Sequence, residues 1–246
     1  MRYKKAPILE AVLDFRWSSE SSIEELESVL ALPFFAGFEE PKPRIQVDAS
    51  INVDQGEVSH HREQLGFELA LKDGAEMAML EKKKFVFVQR APYDRWEYFC
   101  EQATSLLGYV VEVLKVEAFE RIGLRFVNRI DIPLTDGRPI TTDDYVTVKF
   151  NGPLQDRGII EEFQMRVVKP TDKDGIHYAL VLATTPSPLP GLASILLDID
   201  VFTKKAISSS GPELMGTLDE MRSLKNNIFE ECLTDQARAL FGGVEE

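Results

Sequence analysis

Residues 7 to 17 (PILEAVLDFRW) alternate with period two, Leu9, Ala11, Leu13, Phe15 and Trp17 on one side and Glu10, Val12, Asp14 and Arg16 on the other. That spacing predicts a strand with one buried face. Ser21 and Ser22 then offer an N-cap, Glu24 and Glu25 suit a first helical turn, and Ile23, Leu26, Val29 and Leu30 recur at helical spacing until Pro33. A short helix is expected there. Extended stretches follow at 44 to 53, 57 to 71 and 75 to 90, with Lys72-Asp73-Gly74 as the turn between the last two. Asp94 is placed to cap a second helix, in which Trp96, Phe99, Cys100, Ala103, Leu106, Leu107, Val110, Val111 and Leu114 form a broad apolar stripe ending near Val116. A stripe of that width suits a helix lying on a sheet.

The order strand, helix, three strands, long helix then starts again. Residues 119 to 133 predict a strand, Thr141 or Thr142 caps a short helix around Asp143 to Val148, and strands follow at 159 to 169, 176 to 185 and 193 to 202. Pro186, Pro188, Pro190 and Gly191 mark a turn before the last of these. Gly211-Pro212 opens a helix carrying Leu214, Leu218, Met221, Leu224, Ile228, Phe229 and Cys232, and a last short helix follows Thr234-Asp235. The expectation is an α+β chain, a single domain over residues 1 to 246, built of two pseudo-repeated β-α-βββ-α halves (about 1 to 117 and 118 to 246). The repeat is one of element order, not of residue identity. Together the halves would form an antiparallel sheet with the long helices on one face.

Charge narrows the choice of partner. The chain has 28 Lys and Arg against 41 Asp and Glu, a net charge of −13, and two cysteines in 246 residues. Such a charge disfavours duplex nucleic acid and anionic membrane surfaces, and a disulfide scaffold is excluded. Acidic residues interrupt every apolar run before it reaches the roughly 20 residues of a membrane span. The segment from Lys4 to Phe15 lacks the pattern of a signal peptide, so a reducing, cytoplasmic setting is expected.

The central strand separates its faces. Ile122, Leu124, Phe126, Ile130 and Ile132 share one face with Asn128, while Arg121, Arg125, Val127, Arg129 and Asp131 share the other. Glu10 and Asp14 lie on the polar face of the first strand, and Asp198 and Asp200 stand two apart near the end of the third sheet segment of the second half. If the halves join through their first strands, Glu10 and Asp14 would lie against Arg125 and Arg129. One reading of this surface is a cross-strand ion-pair ladder of little net stability. Another is a face on which Arg121, Arg125 and Arg129 hold a carboxylate, phosphate or acidic peptide through bidentate contacts. A third makes Asp198 and Asp200 a metal-binding pair for chemistry on a nucleotide or phosphate ester.

Catalytic signatures are thin. His60 and His61 are adjacent in an extended stretch and point to opposite faces, and His177 stands alone. Cys100 and Cys232 fall on apolar helix faces, where a thiol acts as a small hydrophobe. No nucleophile elbow, HExxH, Walker A or GxGxxG motif occurs. Lys82-Lys83-Lys84 is too small a cluster for nucleic acid, and Trp96 and Phe99 belong to the core stripe and not to a stacking platform.

Four segments carry a resemblance: Ala6-Pro7-Ile8-Leu9-Glu10-Ala11, the corner Arg90-Ala91-Pro92-Tyr93 with Trp96, the central run Arg121 to Ile130, and Phe229-Glu230 with Leu233-Thr234-Asp235. As a set they resemble a sporadically distributed bacterial protein family of unknown function. The resemblance spans nearly the whole chain and implies a bacterial, cytoplasmic protein, with no catalytic residues to carry over. The residues themselves favour a non-enzymatic binding or regulatory protein, such as an adaptor, an immunity or antitoxin-like partner or a ligand sensor. It would act through Arg121, Arg125, Arg129, Glu10, Asp14 and Asn128 on a protein partner or small anionic ligand, without a cofactor. Oligomeric state is left open by the sequence, a homodimer included.

Overall fold

The computed structural model of the chain describes residues 3 to 52, 57 to 71, 73 to 134, 141 to 149 and 162 to 243. Val53, Lys72 and residues 159 to 161, to which the sequence assigns parts of strands and a turn, lie outside the described residues. Eleven strands and four α-helices are described: β1 (Ile8–Arg16), α1 (Ile23–Leu30), β2 (Lys42–Asn52), β3 (Glu57–Ala70), β4 (Glu76–Glu81), β5 (Lys84–Arg90), α2 (Trp96–Leu114), β6 (Ala118–Phe119), β7 (Arg121–Pro133), β8 (Gln164–Pro170), β9 (Ile176–Thr185), β10 (Leu192–Thr203), β11 (Ile207–Ser208), α3 (Pro212–Cys232) and α4 (Asp235–Leu240). Nine of the strands form one antiparallel sheet in the order β2-β3-β4-β5-β1-β7-β10-β9-β8, and β11 pairs with β6 in a small second one. The architecture is α+β, as the sequence predicts.

Local chemistry accounts for the elements. Ser22 accepts from the Glu25 amide while the Glu25 carboxylate accepts from the Ser22 amide, a reciprocal cap that starts α1. Thr234 caps α4 through the Ala237 amide. The second helix begins one residue later than expected, on Arg95, whose side chain makes no capping bond, so Asp94 is not its cap. The stretch 75 to 90 is two strands, not one, with Lys82 and Lys83 turning between β4 and β5. Around Asp143 the expected helix is a single 3-10 turn, Thr142–Asp144, and among the described residues β8 starts at Gln164, with Glu162 and Phe163 outside it.

One sheet face is apolar and carries the helices. Phe126 of β7 meets Phe99 of α2 at 6.2 Å between ring centroids and lies under the Lys225 Nζ of α3, which places both long helices on its side. Phe15, Phe85, Phe87, Phe99, Phe119 and Phe126 are fully buried in this layer. Each contributes about 1.5 to 3 kcal/mol relative to exposure. Alternation then points Asp14, Arg121, Arg125, Asp198 and Asp200 to the opposite face, helix-free among the described residues.

Candidate functional site

The helix-free face is organised around the first strand of each predicted half. β1 and β7 pair antiparallel, with Val12 opposite Arg125, Asp14 opposite Gly123 and Arg16 opposite Arg121. On the other side of β7, Asp198 faces Val127, Asp200 faces Arg125 and Phe202 faces Gly123. Long side chains reach diagonally across this register.

Arg121 joins three strands. Its Nη1 donates to Asp14 Oδ2 at 2.8 Å on β1, its Nη2 donates to Asp200 Oδ2 at 2.9 Å on β10, and its guanidinium lies 5.0 Å from the Phe202 ring centroid. Gly123 provides the room, since a Cβ there would come within 2.5 Å of Arg121 Nη1. Arg16 adds a fork to the same Asp14, with Nη2 at 2.7 Å from Oδ2. Arg125 holds Asp198 bidentately, Nε to Oδ1 at 2.8 Å and Nη2 to Oδ2 at 2.7 Å. Fork geometry of this kind gives the stronger class of charge-assisted bond.

The expected pairing of Glu10 and Asp14 with Arg125 and Arg129 is therefore corrected. The strands do join as anticipated, but the β1–β7 ladder shifts between Ile8 and Glu10 and sets Glu10 opposite Val127, Arg125 opposite Val12 and Asp14 opposite Gly123. Asp14 pairs with Arg121 and Arg16; Glu10 lies 3.9 Å from Arg90 of β5. Arg129 turns to Asp131 on its own strand at 2.9 Å, and Ser194 donates to the same carboxylate at 2.6 Å. Asn128 is on the other face, 2% exposed, its amide donating to the Leu197 and Phe126 carbonyls. That resolves the asparagine on the apolar side as a satisfied buried group.

Burial and pairing compete at Asp200. Desolvation raises its pKa above the ordinary carboxylate value, and the nearby Arg121 cation pulls the other way without cancelling it. Hydrogen bonds from Arg125 to Asp198 and from Arg16 to Asp14 raise both guanidinium pKa values further. The acids Asp198 and Asp200 thus each face an arginine. Among the described residues no group of three or more His, Cys, Asp or Glu is arranged to hold a metal ion.

On the five central strands β4, β5, β1, β7 and β10, six bases (Arg16, Lys84, Arg90, Arg121, Arg125, Arg129) and six acids (Glu10, Asp14, Glu81, Asp131, Asp198, Asp200) share the middle of this face. Their equal number leaves it locally balanced in a chain of net charge −13. The remaining candidates are structural. Cys100 and Cys232 are buried, and desolvation pushes both thiols up to about 11, away from the reactive thiolate. Lys82 and Lys83 answer Glu20 and Glu63, while Lys84 answers Glu81. Tyr93 packs on Phe99 and Phe126 at the corner before α2.

Sequence reasoning missed Gly123, Arg16 and Arg90. For Gly123 the signal was present, because a lone glycine inside a strand marks a close approach. A cation layer under α3 was missed too: Arg222 lies 5.3 Å over Trp96 and pairs with Glu97, and Lys225 Nζ sits 3.9 Å from the Phe126 centroid. In comparison with known proteins, the chain matches no family model and no curated protein.

Proposed function

We propose that this chain is a non-enzymatic binding or regulatory protein whose helix-free sheet face, centred on Arg125, receives a protein partner or a small anionic ligand. One observation carries the reading. The Arg125 side chain is 49% exposed, and it spends Nε and Nη2 on Asp198, which leaves Nη1 without a hydrogen bond among the described residues. Asp198 fixes the guanidinium, so the free edge is aimed at solvent with little rotamer entropy left to lose. A carboxylate or phosphate fits that edge. The balanced mosaic of charge around it suits protein contact through complementarity more than bulk attraction.

Two finer readings belong with this proposal. Outward from the β1–β7 pair the orders β5, β4, β3 and β10, β9, β8 correspond, which supports two duplicated halves. The motif set supports membership of the sporadic bacterial family and a cytoplasmic setting; no helix among the described residues is long and apolar enough to cross a membrane.

The test is native purification from a bacterial host followed by mass spectrometry of proteins and small molecules, with wild type, Arg125→Ala and Arg222→Ala side by side. A stoichiometric partner or anion lost with Arg125→Ala and kept with Arg222→Ala, on the helix side, is the expected result. Retention by both variants removes the proposal.

A further inference from the structure

β2 is an edge strand, and its outer half stands away from the sheet. β4 pairs with β3 only over Gly66–Ala70, whereas β3 continues to pair with β2 from Ile45↔Gln64 to Asn52↔Glu57. The register shifts between Arg44 and Ile45, and the Lys82 amide bond to the Leu65 carbonyl marks the last tie to the rest of the sheet. Beyond it the Lys82–Glu63 ion pair still reaches back to the β4–β5 turn, but among the described residues the two strands' backbones pair only with each other.

The described part of this arm is exposed on both faces. Ile45 is 38% and Val47 62% exposed, and Gln46, Asp48, Ala49, His60, His61 and Arg62 are exposed as well. Yet the sequence Ile45-Gln46-Val47-Asp48-Ala49 has the period-two pattern of a strand with one covered face. An isolated two-stranded ribbon is only marginally stable in water. Edge strands are normally blunted by lysine, proline or bulges. Here Lys42 and Pro43 stand at the base of β2, and the stretch 45 to 49 has neither residue.

We infer that this arm is a homodimerisation element: a second copy of the chain pairs its β2 antiparallel to the first across a two-fold axis. The choice of occupant follows from self-complementarity. Directly opposed residues of antiparallel strands share a face, so a two-fold that keeps Ile45 and Val47 on one side must pass through a residue. An axis at Asp48 sets two carboxylates against each other. An axis at Gln46 sets Ile45 opposite Val47 and Arg44 opposite Asp48 of the second copy, each pair formed twice. It matches apolar with apolar and brings Asp48 to Arg44, whose guanidinium also pairs with Glu68 and Glu81 of its own chain. Among the described residues Asp48 is engaged by the Gln46 amide of its own strand alone. A contact of this length falls below the roughly 1,200 Å² of standard interfaces, so the dimer is reversible and dilution dissociates it.

Sedimentation velocity of the full chain over a wide concentration range tests this, with melting temperature as the check on folding. Wild type should pass from monomer to dimer as concentration rises. Val47→Lys and Asp48→Lys, both at exposed positions, should each weaken association by at least about tenfold without lowering the melting temperature. Val168→Lys, at an exposed site on β8 at the opposite edge, should leave it unchanged. A wild-type monomer at every concentration overturns the inference. So does a dimer indifferent to Val47→Lys, or one that Val168→Lys dissociates equally.

Discussion

Arg121 lies across Gly123: its Nη1 comes within 2.5 Å of the place a Cβ at position 123 would occupy, and from there it reaches Asp14. A glycine inside a strand costs about 0.5 to 1 kcal/mol of conformational entropy, and here the cost is offset by a guanidinium that ties three strands together. Gly123→Ala should swing Arg121 away and leave Asp200, whose burial already raises its pKa, without its cation. The expected loss is about 1 to 2 kcal/mol in urea unfolding, even though alanine is otherwise preferred to glycine. It should shrink at acid pH, where Asp200 takes up a proton in the fold. Gly216, in α3 with open space around its Cβ position, gives the opposite sign: Gly216→Ala should stabilise by about 0.5 to 1 kcal/mol. Destabilisation by both substitutions, or by neither, would show that Arg121 does not depend on the gap.

Arg125 and Asp198 supply the second prediction. Asp198 is 7% exposed, so removing the arginine leaves a nearly buried carboxylate unpaired, unlike the loss of an ordinary surface pair. Arg125→Ala should cost about 1 to 3 kcal/mol, against about 0.5 for a typical surface change. In a double-mutant cycle, Asp198→Asn combined with Arg125→Ala should cost less than the two single changes added together. Additive costs would mean that the fork contributes nothing.

What the sequence conveys of this fold follows from which interactions are local. β1, α1 and α3 are legible because alternation, the Ser22–Glu25 box and Gly211-Pro212 act within a few residues. The β4–β5 turn is less so, because Glu81 to Lys84 interrupt the apolar alternation without a glycine or proline to mark the turn. The charged face was legible as a face, since side-chain parity along β7 fixes which residues share it. Its partners were not. They depend on register between strands distant in sequence, on the shift between Ile8 and Glu10, and on diagonal reach past the valines. Lys225 could not be anticipated at all, since only the packing of α3 on β7 puts an amine over Phe126.

That amine should make stability depend on pH. Burial pushes the Lys225 pKa down to about 7, with Arg222 on the same helix adding to the effect and Glu230 opposing it. The face of Phe126 attracts the ammonium and also opposes the shift, but desolvation is the larger effect. The sign follows from proton counting. Below about pH 7 both folded and unfolded chains carry the proton, and the fold bears the cost of a buried charge; between about 7 and the ordinary value near 10.5 only the unfolded chain is protonated. Stability therefore rises with pH through that window. Lys225→Met keeps the apolar stem and removes the charge. The variant should be more stable than wild type by at least about 1 kcal/mol near pH 6, an advantage that narrows steadily towards about pH 9.5. Urea unfolding of both proteins across this range measures the difference directly. A gap that stays constant with pH would mean that Lys225 remains protonated in the fold throughout.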